Sequence, residues 1–518
     1  MNRPYSVRDH LPGELYRAEQ VRELDRRAIA EGGIEGFELM LRAGEAAFAC
    51  LLERWPEEEE ICIFAGPGNN GGDAWVLGAL ARYHGMKVCF YTLGDMDRQS
   101  DSARKARDMA EEAGVVARPF ISEEGKGELN YDGAIIVDGL LGTGLNSAVR
   151  GDYAQAIDAI NQHWAEVLAL DLPSGLNADT GNIMGCAVKA AITVTFIGMK
   201  QGLLTASGPD VSGAVAFASL EVDPMICASV PAACERISWD RLDRLAQRLP
   251  ARRGNAHKGE FGHVLVIGGD HGMGGAAAMA AEAAGRSGAG LVSCATRTEN
   301  TVPILVRRPE VMARGIESGL ELIPLLERAS VLVAGPGLGQ SSWSELLLQQ
   351  VLGSDLPLIL DADALNILAS PGWNRNFSGR DVIMTPHPGE AARLLGISTA
   401  EVQADRFAAA QALAERYQAV VVLKGQGTLI ARPDGRMALC SDGNPGMSSG
   451  GMGDVLSGVL GAILAQQVRD ENNHLDVWAA ARLGVCVHSA AGDLAVRSSG
   501  ERGLLATDLM MKLRELVN

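Results

Sequence analysis

The segment Ser448-Ser449-Gly450-Gly451-Met452-Gly453-Asp454 sets three glycines and one carboxylate before an apolar helical run. Glycines at 450, 451 and 453 let successive backbone N–H groups turn inward, and a helix N-terminus adds its dipole. Such a turn attracts an anion, most of all one that gains charge as a phosphoryl group is transferred. Asp454 stands where a carboxylate accepts the proton of an attacking hydroxyl. Taken alone, a glycine-rich turn with an aspartate is also an ordinary helix start.

Four further motifs follow apolar runs in the same half of the chain. They are Gly335-Pro336-Gly337-Leu338-Gly339, Asp361-Ala362-Asp363-Ala364-Leu365-Asn366, Thr385-Pro386-His387-Pro388-Gly389-Glu390 and Lys424-Gly425-Gln426-Gly427-Thr428. A lysine at a strand end, followed by glycines, suits a nucleotide phosphate or ribose edge. Glycine-rich or polar motifs at successive parallel strand ends build one crevice.

The first half carries a second set. Gly66-Pro67-Gly68-Asn69-Asn70-Gly71-Gly72-Asp73 follows the run Ile61–Ala65 and precedes a helical pattern. It matches neither GxGxxG nor a P-loop. Its amide and carboxylate oxygens suit a hard monovalent cation or a ribose. Val137-Asp138-Gly139 to Leu145 and Leu170-Asp171-Leu172-Pro173-Ser174 end two more runs, and Lys200 lies just past another. Asp73, Asp138, Asp171 and Lys200 are expected in one crevice. No histidine stands in a matching motif to activate Ser174 as a nucleophile.

The elements that must position these residues alternate. Strands are expected at Ile61–Ala65, Lys87–Thr92, Ala134–Asp138, Val167–Leu172 and Ile192–Ile197, with helices such as Asp73–Tyr83 and Ser102–Ala113 between them. Alternation resumes with strands at His263–Ile267, Leu291–Ala295, Val331–Ala334, Leu358–Leu360, Asp381–Thr385 and Ala419–Leu423. A hairpin over Thr428–Ala431 and Met437–Cys440 turns at Pro433-Asp434-Gly435. Helices are expected at 275–286, 389–396, 401–417, 454–466 and 477–491. The pattern is that of two α/β domains with mostly parallel sheets. Residues 226–250, rich in proline and basic side chains and without an evident strand, read as the linker between domains 1–225 and 251–518.

A length of 518 residues also demands more than one core. The formal net charge of −18 disfavours a nucleic-acid partner. Nine scattered cysteines without a CxxC pair read as reduced core thiols of a cytoplasmic protein. No signal-type apolar segment opens the sequence, and no run of about 18 apolar residues suggests a membrane span. The Ala- and Gly-rich helices are compatible with a homo-oligomer.

In this order the five motifs between 335 and 454 make the second half resemble the ribokinase-like NAD(P)H-hydrate dehydratases. That resemblance implies a C-terminal ribokinase-like αβα domain in which ADP or ATP phosphorylates the hydroxyl of a hydrated nicotinamide, and phosphate loss restores NADH or NADPH. It places Ala276, Gly337, Gly339, His387 and Asp454 on the hydrate. Lys424, Gly425, Gln426, Gly427, Thr428 and Gly453 would hold the adenine nucleotide, with magnesium on its phosphates and Asp454 as catalytic base. The first half resembles the NAD(P)H-hydrate epimerases, which implies an N-terminal Rossmann-like three-layer αβα domain. Asn70, Asp138 and Ser174 would ligate potassium. Asn69, Asn70, Gly71, Gly72, Asp73, Gly142, Thr143, Gly144, Leu145, Asn146, Ser147, Ala148 and Asp171 would bind the hydrate. Asp171 is the candidate acid/base and Lys200 its charge partner. A vitamin-precursor or sugar kinase would share the second half but would leave the first without a role and release a stable phosphorylated product. A non-catalytic nucleotide-binding scaffold would not need Asp73, Asp138, Asp171 and Lys200.

Overall fold

Ile61, Cys62, Ile63, Phe64 and Ala65 are buried without interruption, which is what a strand covered on both faces requires. Such strands recur throughout the computed structural model, which describes residues 4–7, 10–120, 129–246, 249, 252–373, 375–466 and 476–518. The chain divides into two units, one running to Glu235 and the other starting at Arg236.

The first unit is built on an eight-stranded sheet. Its spatial order is Ser6–Val7, Ala214–Ala218, Ile192–Phe196, Glu166–Leu170, Ile135–Gly139, Glu60–Ala65, Lys87–Thr92 and Ala117–Pro119. Every pairing is parallel except that of the edge strand Ser6–Val7. Strand order reverses between Glu60–Ala65 and Ile135–Gly139, so a crevice opens beyond their carboxyl ends.

The second unit's strands run Met312–Gly315, Leu291–Thr296, His263–Ile267, Val331–Ala334, Leu358–Leu360, Val382–Met384, Val420–Leu423, Thr428–Ala431 and Met437–Cys440. The first seven are parallel and the last two form the expected hairpin, with Gly435 at φ +90° in its turn. The helices Gly274–Arg286 and Met452–Ala465 cross closely because Gly458 lacks a side chain. A Cβ there would lie 2.1 Å from the Ala280 carbonyl oxygen. Met452–Ala465 is the helix that carries Asp454, so this contact fixes the catalytic candidate to the core.

Several boundaries differ from the sequence pattern for identifiable reasons. The strand expected to reach Leu172 stops at Leu170, because Asp171 takes φ +63°. Ile197, at φ +60°, likewise ends Ile192–Phe196. The helix expected from Asp73 starts at Asn69, so the Asn69–Asp73 motif forms its first turns. The helix expected over 401–417 is two, Thr399–Ala404 and Arg406–Tyr417; the Asp405 carboxylate caps the second through Ala408 N at 2.9 Å. Of the expected linker 226–250, residues 247, 248 and 250 lie outside the described ones, as does 251 at the head of the following domain. The described part contains a strand, Cys234–Ile237, antiparallel to the distant Glu14–Tyr16. Its partner lies more than 200 residues away, so local pattern could not reveal it.

Candidate active sites

In the first unit, a cavity of about 750 Å³ sits at the reversal of strand order. That volume suits a sizeable organic ligand. Asn69, Asn70 and Asp73 reach it from the helix Asn69–Tyr83, and Gly142 through Ser147 from the loop after Ile135–Gly139. Asp171 and Lys200 reach it from two further strand ends. Gly71, Gly72 and Ala148 are not among its lining residues. Gly71 and Gly72 serve packing: a Cβ on Gly71 would lie 1.8 Å from the Gly66 carbonyl oxygen, and one on Gly72 would strike Met40.

Asp138 and Ser174 lie fully buried beneath the cavity. The Asp138 carboxylate accepts Ser174 N at 2.8 Å, Ser174 Oγ at 2.6 Å and Leu140 N at 3.2 Å. Burial pushes its carboxyl up to about 6, against those hydrogen bonds. Asn70 Nδ2 donates to the Leu141 carbonyl at 3.2 Å, and Ser174 Oγ accepts Leu141 N at 2.8 Å. Asn70 Oδ1 is buried with no hydrogen-bond partner. A buried carboxylate, a hydroxyl and an orphaned amide oxygen around Leu141 form an oxygen donor set that fits a hard cation.

Lys200 and Asp171 are ion-paired, and Lys200 also donates to the Phe196 carbonyl at 2.8 Å. Lys200 is held by strand Met199–Lys200, which pairs with Glu14–Tyr16. Asp73 carries a carboxyl raised well above its ordinary value by burial, with Asp171 and Asp25 adding repulsion. Asp25 also lines the cavity, from the helix Ala18–Ala30. Nothing in the sequence flags it, since it lies at no strand end and beside no glycine.

In the second unit, four strand ends and a helix start meet. Asp361, 1% exposed, accepts Lys424 Nζ at 2.7 Å and Ser457 Oγ at 2.6 Å. A Cβ on Gly453 would lie 3.1 Å from Lys424 Nζ, so the glycine loop closes onto this lysine. Glu390 Oε2 lies 3.9 Å from Lys424 Nζ, while Glu390 Oε1 lies 3.2 Å from His387 Nε2. His387 caps the helix Pro388–Leu395, its Nδ1 accepting Gly389 N at 3.0 Å. Burial and then Lys424 lower its pKa, which favours the neutral imidazole. A Cβ on Gly337 would lie 3.0 Å from the Ala276 side chain, and Gly339 N donates to Asp363 at 2.9 Å. Asp454 is pushed up to about 7, by burial first and by Asp361 next. Such a carboxyl shifts between acid and base near neutrality.

Arg406 is buried, and its guanidinium reaches the carbonyls of Leu423, Lys424 and Gly427 at 3.3–3.5 Å. It shapes the Lys424–Thr428 loop from a helix that carries no motif. A cavity of about 470 Å³ in this unit, lined by Arg380, Arg432 and Arg436 among others, lies at the opposite strand ends and shares no residue with these motifs.

Comparison with known proteins agrees with the two-unit layout. A family described as "YjeF-related protein N-terminus" matches residues 36–202, and one described as "NAD(P)H-hydrate dehydratase" matches 264–515. The bifunctional NAD(P)H-hydrate repair enzyme Nnr of Coxiella burnetii is 49% identical over 97% of this chain and 99% of its own. The Escherichia coli protein of the same name is 41% identical over 98% of this chain and 95% of its own. A Bacillus subtilis ADP/ATP-dependent NAD(P)H-hydrate dehydratase, co-crystallised with ATP and Mg2+, aligns at a TM-score of 0.46 and 31% identity. That alignment covers 53% of this chain and 95% of the other.

Proposed function

This chain belongs to the bifunctional NAD(P)H-hydrate repair enzymes, and from that premise we propose how its residues divide the work. It is an NAD(P)H-hydrate epimerase and an NAD(P)H-hydrate dehydratase on one polypeptide. We assign residues 1–225 to the first activity, 251–518 to the second and 226–250 to the connection.

In the first crevice, Asn69, Asn70, Asp73 and Gly142–Ser147 take the hydrated dinucleotide, and Asp171 acts as acid/base with Lys200 as its charge partner. The hydrate bears its hydroxyl on the carbon beside the ring nitrogen. When that hydroxyl is protonated, the nitrogen lone pair expels it as water, and water returns to either face. Asn70, Asp138 and Ser174 would hold potassium, whose charge would offset the dinucleotide's pyrophosphate. The orphaned Asn70 Oδ1 and the buried Asp138 carboxylate support that assignment. A thermal shift on adding potassium, absent in Asp138→Asn, is the expected outcome; equal shifts in both proteins would remove it.

In the second crevice, Lys424–Thr428 and Gly453 hold ADP or ATP, and Ala276, Gly337, Gly339 and His387 hold the S hydrate. Asp454 takes the proton of the hydrate hydroxyl as it attacks the terminal phosphate, whose bridging P–O bond breaks to release AMP from ADP or ADP from ATP. The amides of the 450–453 turn receive the charge that develops on the transferring group. The ring nitrogen then expels phosphate, and loss of a proton from the neighbouring ring carbon leaves NADH or NADPH. Magnesium would neutralise charge on the nucleotide phosphates, while Asp361 and Glu390 already face Lys424.

The observation that carries the site assignment is the convergence of Asp361, Glu390, Lys424 and Gly453 from separate motifs. The test follows 340 nm absorbance recovery of a mixed hydrate with ADP, ATP or neither. Complete recovery with nucleotide in the wild type and none in Asp454→Asn is expected. A stable phosphorylated product instead would indicate a kinase.

A further inference from the structure

Interconverting two hydrates takes water from one face of the nicotinamide ring and returns it to the other. A proton must therefore be handled on both faces, and Asp171 with Lys200 is one ionisable pair lining the crevice. The helix Ala18–Ala30 also lines the crevice. Val21, Arg22, Asp25 and Ile29 all line the cavity, spacings that belong to one helical face. Arg22 Nη1 reaches the Thr143 carbonyl at 3.4 Å, which ties this helix to the Gly142–Ser147 loop. Resting on the epimerase assignment, we propose that Asp25 is a second catalytic residue of the first crevice, handling the proton on the ring face opposite Asp171.

The surroundings leave Asp25 available for this. The neighbouring Arg26 and Arg27 are both paired with Glu23. Among the described residues, no hydrogen bond or ion pair engages the Asp25 carboxyl. The charged groups that act on it are Lys200, Asp171 and Asp73, and Arg22 lines the same cavity. Asp25, Asp73 and Asp171 thus share one buried ammonium, Lys200. Asp25 and Asp73 both have their carboxyls raised, by burial first and then by neighbouring carboxylates. Burial accordingly raises the Asp25 carboxyl to about 6, with Lys200 opposing and Asp171 adding to the rise.

The step balances without any oxidant or reductant. Asp25 gives its proton to the hydroxyl oxygen. The carbon–oxygen pair leaves with that oxygen as water, and the nitrogen lone pair forms a carbon–nitrogen double bond. A water then adds from the other face, its oxygen supplies the new carbon–oxygen bond, and its proton goes to Asp171. Proton exchange with water in the crevice then returns a proton to Asp25 and removes the one on Asp171, so the next turnover begins from the same state.

The test uses the full chain, with R-enriched hydrate and no nucleotide, so that the dehydratase stays silent. Exchange is followed chromatographically against a no-enzyme control. Asp25→Asn should lower kcat by about 100-fold or more, leave KM within about 3-fold, not lower the unfolding midpoint, and keep the S-hydrate dehydration rate of the second unit. Asp25→Glu should recover part of kcat. Asp25→Asn exchanging within about 3-fold of wild type would overturn the assignment and leave the epimerase reading intact. So would a loss in Asp25→Asn that Asp25→Glu does not relieve, or one seen in KM alone. No exchange by the wild type above control would instead remove the epimerase reading itself.

Discussion

Asp454 joins catalysis to stability at a single carboxyl. Its folded-state pKa, about 7, lies above the ordinary aspartate value. The stability it contributes is therefore full below about pH 4 and is lost as pH rises through about 7. A rise of roughly three units corresponds to about 4 kcal/mol, less for a group that keeps some solvent contact. Asp454→Asn is thus expected to be inactive in dehydration yet more stable than wild type at pH 8, by about 2–4 kcal/mol. In a domain of this size that raises the unfolding midpoint by about 3–7 °C. At pH 4 the two proteins should melt together. An inactive variant that gained nothing at pH 8 would show that Asp454 is ionised without cost, and so is not tuned as a base. The sequence made this residue legible because chemistry and local structure coincide there: the glycines that build the amide turn also mark the helix start. Asp25 had no such marker. Its setting depends on Lys200, Asp73 and Asp171, which arrive from three separate elements.

At the scale of elements, the Lys424–Thr428 loop shows how a glycine and a buried arginine share one task. Gly425 adopts φ +139°, and a Cβ there would lie 2.6 Å from Arg406 Nη1. Arg406, its pKa lowered to about 10 by burial, is engaged by the backbone carbonyls that the loop turns inward. Gly425→Ala should therefore displace the loop, at a cost of about 1–3 kcal/mol for the disfavoured backbone alone. KM for the nucleotide should rise while KM for the S hydrate, held by other strand ends, changes little. Initial-rate kinetics with each substrate varied separately would check this, and equal rises in both constants would count against it. The core strands were readable because fully buried strands are short, continuous apolar runs. Edge strands such as Ala117–Pro119 and Met312–Gly315 were not, since exposure removes that pattern. The helix-borne Arg406 escaped notice for a related reason. An arginine inside an amphipathic helix reads as a surface group, and only the tertiary fold turns it toward a loop 18 to 21 residues farther along the chain.

For the whole molecule, the consequence concerns how two chemistries on one chain serve one repair. A dehydratase that takes the S hydrate leaves the R hydrate stranded unless the epimers exchange. With Asp171→Asn, nucleotide-dependent recovery at 340 nm should stop near the S fraction of the mixture and then creep at the spontaneous exchange rate. With Asp454→Asn it should not begin. The hydrate is a diffusible small molecule, so sharing a polypeptide does not oblige it to pass directly between sites. Mixing Asp171→Asn with Asp454→Asn should then restore complete recovery. At equal total protein, the mixture should run at about half the wild-type rate, because each activity resides on half of the molecules. Recovery that stayed at the S fraction in the mixture would mean that the R hydrate must be epimerised on the molecule that dehydrates it. Fusion would then be a kinetic requirement, beyond keeping two activities in equal number.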